Sequence, residues 1–482
     1  MTDPDASGKV PARADFQQLG NGFGGHEWFG YTRTAARNGN VMKVTGTWEL
    51  DRAVNGWARV LVHIPKRRAE TQQAPYTVNL GNGQTETRYL SQAREQSAWH
   101  NLGVFQFAGT PKVSLTNLNL EGDGTTAIAW DAIAFQTLAK RPKHFVVGMG
   151  DSFASGEGAG NYYPETDMGY KSVRWNACRR SKDAWIRQAV LPGETQTVGQ
   201  LADSFDPKMD FAFVACSGAV TRDMTTGEYQ YTADPLGDWS DYRGNAEGRF
   251  REAAQMESGF LNKNTTLVAL SIGGNDAKFS NIISHCYIIS CYSSGYENDI
   301  KSDITHAVRD RMEGGVQANV KDIIYEVESK VGNAVQGRGK KAKIVLMGYP
   351  EIASAGTSCP KFDDQEKGMF QRLTQHFAVE EAGMVQALKN ASLEVSFANP
   401  LPAFQGHGAC IDSNFPGDRW VHYINFIKTG PGDFQDTEDC CVTEGFRCAS
   451  RTSIHPNRDG ASAHATVLEE HLANPAVNYT GW

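Results

Sequence analysis

At 482 residues the chain is longer than one ordinary hydrophobic core organises, which argues for two domains. Hydrophobic residues at 40% and charged residues at 21% describe a globular chain and exclude a disordered one. The net charge of −8 excludes the basic face that a nucleic-acid binder needs, and no apolar run approaches the ~20 residues of a membrane span.

Residues 1–17 read as a flexible N-terminus, and the opening "MTDPDASGKVPARADF" has no charged region followed by an apolar core, so no secretory signal is present. Residues 18–138 read as an all-β sandwich. Its segments alternate: "NVMKVTGTW", "GWARVLVHIP", "APYTVNLGN", "TRYLSQ", "WHNLGVFQFAG", "KVSLTNLNL" and "TAIAWDAIAFQTL", with "GNGQ" and "EGDGTT" among the turns between them. "HEWFG" (26–30) lacks the second histidine of a metalloprotease helix and implies no zinc site. This block contains no cysteine, whereas all nine lie beyond it, which supports a boundary near "AKRPKH" (139–144).

From His144 onward the pattern changes. Apolar strands appear at "HFVVGMG", "MDFAFVAC", "TTLVALSI", "AKIVLMGYP" and "LEVSFANP". Helical stretches are expected near 182–191, 248–262, 303–334, 364–390 and 461–473. Continuous Val/Ile/Leu strands separated by helices imply a parallel sheet covered on both faces. Residues 223–247 read as a long surface excursion, open either to a substrate cleft or to a plain insertion. The nine cysteines form no CxxC pair and no cluster with histidine at zinc spacing. Cys286 and Cys291 are spaced as in a stapled loop, which favours an exported protein whose leader has been removed.

The first strand ends in "GMGDSFASGEG", the second in "VACSGA" and the third in "LSIGGNDAKF", while "SIHPNRDG" precedes the last helix. Three parallel strands thus deliver Ser152, Gly218 and Asn275 to one edge, and a late loop delivers His455. Acyl transfer needs such a set: a hydroxyl nucleophile, a base for its proton, and donors for the developing oxyanion. Elsewhere, Asp151 reads as a turn-former, Asp276 as an acceptor for backbone donors of its loop, and Arg179 and Arg180 as partners of carboxylates. His285, His306, His407 and His422 read as surface or packed residues.

On these blocks the chain resembles the SGNH (GDSL) hydrolase family over about residues 144–475. The resemblance implies a flavodoxin-like three-layer α/β fold for a catalytic domain at 144–482. "GDSFASGEG" makes Ser152 the nucleophile and, through its N–H, the first oxyanion donor. "CSGA" makes Gly218 the second donor, "GGND" makes Asn275 the third, and "HP" makes His455 the general base. The family usually carries an aspartate three residues before this histidine; here Thr452 stands there. The cysteines and "SIHPN" look like an actinobacterial branch that orients the imidazole with a main-chain carbonyl, which implies a Ser–His dyad. That branch also implies disulfides Cys178–Cys216, Cys286–Cys291 and Cys359–Cys410, leaving Cys440, Cys441 and Cys448 for one further bridge and one free thiol.

The N-terminal block is similar to the golvesin C-terminal-like jelly roll, on "WHNLGVFQFAG", "VSLTN" and "AIAWDAIAF". That likeness implies either a surface- or carbohydrate-binding module or a structural partner without a ligand. The joint expectation is a secreted serine ester hydrolase, an esterase or lipase, needing no metal or organic cofactor. Its partner is a small-molecule, lipid or glycan ester. Two alternatives stay open: a carbohydrate O-acetyl esterase whose sandwich holds the glycan, and a binding protein with a vestigial hydrolase domain.

Overall fold

A computed structural model describes residues 2–3, 12–13, 17–34, 42–119, 122–169, 175–225, 252–310, 318–334, 340–353, 357–410, 419–433 and 449–482. Most of the expected excursion at 223–247, the last three cysteines and most of residues 1–17 lie outside this set.

The N-terminal block is built of antiparallel strands: β1 (Gln17–Leu19), β2 (Glu27–Arg33), β3 (Thr45–Glu49), β4 (Val54–Ile64), β5 (Ala74–Asn79), β6 (Thr85–Leu90), β7 (Ala98–Gly109), β8 (Lys112–Thr116), β9 (Asp123–Trp130) and β10 (Ile133–Leu138). They pair in the orders β3-β8-β5-β6, β9-β2-β1 and β10-β4-β7. Val60, Val62, Tyr76, Phe105, Phe107 and Trp130 belong to one core that these strands share. The run "TAIAWDAIAFQTL" is divided between two sheets, because the chain turns at Asp131 and Ala132. The strand at 27–33 escapes the sequence reading, since "EWFGYTR" is interrupted by glycine and does not alternate cleanly.

Five parallel strands follow: β11 (His144–Gly150), β12 (Met209–Phe213), β13 (Leu267–Ser271), β14 (Lys343–Met347) and β15 (Val395–Ala398). Their order is β12-β11-β13-β14-β15, so the chain has a mixed α/β fold with a doubly wound parallel sheet. β11 and β13 are buried along their whole length, which is why their sequences run apolar without alternation. One face is covered by α4 (Phe279–Ile288), α5 (Ser294–Val308), α6 (Val320–Lys330) and α7 (Asp364–Asn390), which contribute Ile282, Ile304, Ile323 and Leu373 to its core. The other is covered by α2 (Trp185–Gln188), α3 (Val198–Asp203) and α9 (Arg458–Ala473), through Trp185, Leu201 and Leu468. Two short helices, α1 (Ser152–Ser155) and α8 (Leu401–Phe404), follow β11 and β15.

Two helix expectations are corrected. Within 248–262 the described residues form only a single turn at Gln255–Glu257, because Gln255 spends its side-chain amide on β11. Its Oε1 accepts from the Gly150 N–H at 2.7 Å and its Nε2 donates to the Gly150 oxygen at 2.8 Å. The stretch 303–334 contains the end of α5 and all of α6, a separate helix started by a reciprocal Asn319–Asp322 cap.

The two halves meet along β12, an edge strand whose free backbone needs covering. Asp210 accepts from Asn101 Nδ2 at 2.8 Å and from the Val104 N–H at 2.9 Å. The Arg59 guanidinium donates to the carbonyl oxygens of Phe205, Asp206 and Met209. Among the described residues no helix is long and apolar enough to cross a membrane.

Candidate active site

In an open α/β sheet of this order the crevice lies at the carboxyl ends of the strands, where the connections diverge to opposite faces. β11 ends there. Gly150 takes φ +122°, and a Cβ at that position would sit 2.0 Å from the Ser271 oxygen, so only glycine lets β11 turn beside β13. Asp151 then caps α1, accepting from the Phe153 N–H at 3.0 Å, and this sets Ser152 as the first helical residue.

Asp151 is more than a turn-former. Its buried carboxylate also accepts from Ser271 Oγ at 3.0 Å and from the Tyr349 hydroxyl. Burial pushes its pKa up to about 6, against the pull of those hydrogen bonds. The Tyr349 oxygen in turn accepts from the Gly274 N–H at 2.8 Å, in the loop that carries Asn275. One phenol therefore joins the turn under Ser152 to the turn under Asn275.

The segment after β12 is fixed by the Cys178–Cys216 disulfide and by the Cys216 N–H donating to the Gly150 oxygen at 3.0 Å. Gly218 follows with φ +87°, partly exposed. Asn275 Nδ2 donates to the Ala219 oxygen at 2.9 Å, so the expected second and third oxyanion donors lie on hydrogen-bonded segments. Asp276 accepts from the N–H (3.0 Å) and hydroxyl (2.6 Å) of Thr221, outside its own loop, and burial raises its pKa to about 6.

His455 arrives from the opposite direction. Its loop pairs with residues 420–422: the His422 N–H donates to the His455 oxygen at 2.9 Å, and the Ile454 N–H to the His422 oxygen at 3.0 Å. Ile454 holds φ +60°, an unusual conformation for a β-branched residue, between the backbone bonds that tie it and His455 to His422. The imidazole Nε2 lies 2.8 Å from Ser152 Oγ, and Nδ1 lies 3.0 Å from the Ser453 carbonyl oxygen. A carbonyl can only accept, so Nδ1 carries the proton and Nε2 is the acceptor for the serine hydroxyl. Burial lowers the His455 pKa from its ordinary value, while the charge of Glu157 pulls it upward. Phe153 packs on the ring at 5.0 Å between centroids.

Thr452, at the position of the family's aspartate, bonds instead to its own loop and to the segment at Asn425. Its Oγ1 lies 2.8 Å from Ser450 Oγ and accepts from Asn425 Nδ2 at 3.4 Å. Ser450 Oγ donates to Asp433, which also accepts the Arg451 N–H at 2.7 Å and the Thr429 hydroxyl at 2.7 Å. Thr429 Oγ1 accepts from Arg179 Nη2 at 2.8 Å. Arg179 also donates to Asp167 at 2.7 Å and, through Nε, to fully buried Glu157 at 2.9 Å. Glu157 closes the chain by accepting from Ser217 Oγ at 3.0 Å, next to Gly218. A buried network thus runs from the histidine loop to the oxyanion loop. Arg180 pairs with Glu252.

The structure brings Ser152 and His455 into contact, places Gly218 and Asn275 on adjoining segments, and bonds Cys178 to Cys216, Cys286 to Cys291 and Cys359 to Cys410. Cys440, Cys441 and Cys448 lie outside the described residues. Sequence reasoning missed Glu157, Tyr349 and Asp433. Glu157 had a signal, a carboxylate set between glycines five residues after the serine; the other two had none. Cys286, Cys291 and Glu366 lie close enough to share an ion, but both sulfurs are spent in a disulfide.

Residues 23–137 match the Golvesin C-terminal domain. The chain is 25% identical over 284 residues to Lipase 1 of Streptomyces coelicolor, covering 59% of this chain and 78% of that protein. It is 24% identical over 278 residues to a lipase of Streptomyces rimosus, covering 58% and 76%. Among solved structures, the extracellular lipase of Streptomyces rimosus aligns with 20% identity and a TM-score of 0.41, over 67% of this chain and 98% of that one. The phospholipase A1 of Streptomyces albidoflavus aligns with 21% identity and a TM-score of 0.40, over the same shares. The resemblance of the sequence to a golvesin-like block followed by an SGNH-type hydrolase is borne out by the domain match and the lipase relatives.

Proposed function

We propose that the chain is a secreted carboxylic ester hydrolase that works through a Ser152–His455 dyad. The observation that carries this reading is the 2.8 Å contact between His455 Nε2 and Ser152 Oγ, with Nδ1 held by a main-chain carbonyl. Ser152 attacks the ester carbonyl as His455 takes its proton, and the N–H groups of Ser152 and Gly218 with the Asn275 amide receive the oxyanion. His455 then protonates the leaving alcohol, and water repeats the cycle on the acyl-enzyme. The lipase relatives support the ester bond as target.

Secretion is supported by three disulfides, which persist in oxidising compartments, and by the extracellular relative. Residues 18–138 serve as an accessory β-sandwich domain and residues 144–482 as the catalytic one. The test is a fluorophosphonate probe on the purified protein. Labelling at Ser152, lost in Ser152→Ala together with hydrolysis of p-nitrophenyl butyrate, is the expected result. Hydrolysis by Ser152→Ala within tenfold of the parent overturns the assignment.

A further inference from the structure

A cavity of about 480 Å³ lies between the two halves of the molecule. Small-molecule sites are of this size and favour such boundaries. Tyr89, Arg94 and Trp99 line it from the N-terminal block, and Glu165 and Lys182 from the C-terminal half. Most of its charged walls are already satisfied. Arg180 pairs with Glu252 at 2.5 Å and Arg187 with Asp203 at 2.7 Å. Arg59 is spent on three carbonyl oxygens. His100 stays neutral, because burial and the charge of Arg94 lower its pKa to about 3.

Arg94 and Glu165 differ from these neighbours. Arg94 donates through Nε to the Ser91 oxygen at 2.9 Å, and its two terminal nitrogens have no acceptor among the described residues. Glu165 is 8% exposed, and its Oε2 has no hydrogen-bond partner. No ion pair joins the two, although each lines the same cavity and the charge of Glu165 is the first to oppose the effect of burial on Arg94. Open charges in such a place cost free energy. An interface that needed only to dock would close them into a salt bridge, as it closes Arg180 on Glu252. At the rim, exposed Lys182 and Glu95 add one charge of each sign, and neither has an ion-pair partner among the described residues.

We propose that this cavity binds a small zwitterion of the α-amino acid type, with its carboxylate on Arg94 and its ammonium on Glu165. The proposal is independent of the ester-hydrolase reading above. A simple anion satisfies Arg94 and leaves Glu165 open; a simple cation does the reverse. An acyl chain satisfies neither. A zwitterion answers both with charge-assisted hydrogen bonds, and it suits walls whose open charges cancel.

Two further features fit this occupant. Tyr89 and Trp99 are partly exposed and offer rings to a ligand side chain. The turn that carries Glu165 is also set in advance. Thr166 accepts the Arg179 N–H on its carbonyl oxygen at 2.7 Å and the Arg180 N–H on Oγ1 at 3.0 Å. Glu165 is thereby held in place without its carboxylate being spent, as a preorganised receptor requires. Because Arg94 belongs to the sandwich and Glu165 to the other half, the ligand ties the halves together and the site is incomplete in either alone.

The experiment is titration calorimetry on the full-length protein with L-phenylalanine and with glycyl-L-phenylalanine, which separate a free amino acid from a peptide as the source of the zwitterion. At least one should bind. 3-Phenylpropionate, which lacks the ammonium, and L-phenylalaninamide, which lacks the carboxylate, should each bind at least about tenfold more weakly than the better zwitterion. Arg94→Gln and Glu165→Gln should each weaken that zwitterion by at least about tenfold, as loss of one partner of a desolvated charge pair dictates. The melting temperature without ligand should hold or rise in Arg94→Gln, since the substitution removes a charge that nothing neutralises. A fall there would make Arg94 a structural group of the interface and overturn the proposal. So would a protein that binds neither zwitterion, or binding that survives either variant at the parent's strength. 3-Phenylpropionate bound as tightly as the zwitterion would reduce the site to a carboxylate receptor and take Glu165 out of it.

Discussion

The imidazole of His455 donates from Nδ1 to the carbonyl oxygen of Ser453, two residues earlier in its own loop, at 3.0 Å. A carbonyl fixes the tautomer as an aspartate does, but it carries no full charge to stabilise imidazolium. The arrangement therefore orients the imidazole, and the upward pull of that hydrogen bond on its pKa is outweighed by burial.

This predicts that no neighbouring carboxylate completes a triad. Asp459 stands exposed in the first turn of α9, four residues after His455, and Asp433, the buried acid bound to the loop, is spent on Ser450, Arg451 and Thr429. Asp459→Asn should change kcat/KM by less than about tenfold, against the ~10⁴ lost when a triad acid is neutralised. Because burial lowers the His455 pKa, the acid limb of kcat/KM should fall below the ordinary value of about 6.5, with activity persisting into the alkaline range. A loss of several orders of magnitude in Asp459→Asn would refute the dyad.

Asn275 offers its side-chain amide from the turn after β13, and one of its two N–H groups is spent on the Ala219 oxygen. The other remains for an oxyanion. Asn275→Ala should lower kcat by roughly 10²–10³, the usual effect of removing one such donor, with KM little altered. Initial rates against a soluble ester decide it: a rise in KM alone would make Asn275 a substrate-binding group.

The sheet was legible in the sequence because burial on both faces leaves a continuous apolar run, as in "HFVVGMG" and "LVALS". Ser152 and His455 were singled out only through the family resemblance that "GDSFASGEG" and "HP" carry, since a strand ending in glycine and serine is by itself an ordinary turn; their 2.8 Å contact is what the fold adds. The segment around Gln255 was misread, since its apolar spacing mimics a helix while its amide serves the β11 backbone across 105 residues. α5 was entered late, because Gly295 in its first turn weakens the periodic signal that Ser293 caps. Tyr349 reaches Gly274 across 75 residues and Asp151 across 198, and Asp433 reaches Ser450 and Arg451 across 17 and 18, with no apolar period or motif to mark either residue.

Tyr349 supplies a test of that hidden layer. Its hydroxyl donates to Asp151 and accepts from Gly274, while burial and the charge of Asp151 raise the pKa of Glu381, whose oxygens have no hydrogen-bond partner among the described residues. Tyr349→Phe should destabilise the fold by about 1–3 kcal/mol, the cost of stranding buried polar groups. It should also lower kcat while KM holds. Asp151, already raised to about 6, should rise further without its donor. A carboxyl raised in the folded state loses stability as pH climbs through its folded pKa, so the variant's deficit should be larger at pH 8 than at pH 5. Urea unfolding at the two pH values measures this, and an equal deficit at both would remove Asp151 from the account.

Glu157 is the carboxylate whose charge reaches His455, and it holds that place without touching the ring. Its oxygens accept from Arg179 Nε, Ser217 Oγ and, at 3.1 Å, the Tyr162 hydroxyl. Glu157→Gln keeps the shape and an acceptor but deletes the charge. Burial already lowers the His455 pKa, and without the opposing pull of Glu157 it should drop further, so the acid limb of kcat/KM should move to lower pH. kcat should fall at the same time, because the imidazolium formed in the transition state loses its remote counter-charge. Breaking one partner of a buried ion pair typically costs about 3–5 kcal/mol, and Asp167 still pairs with Arg179, so the stability loss should sit at or below the low end of that range. Glu157→Gln/Arg179→Met also strands Asp167, so it should lose further stability in urea while the shifted pH profile remains. A general weakening of the fold would lower activity at every pH alike; an acid limb that stays put or moves upward in Glu157→Gln would show that the carboxylate is structural and that His455 works under the Ser453 carbonyl alone.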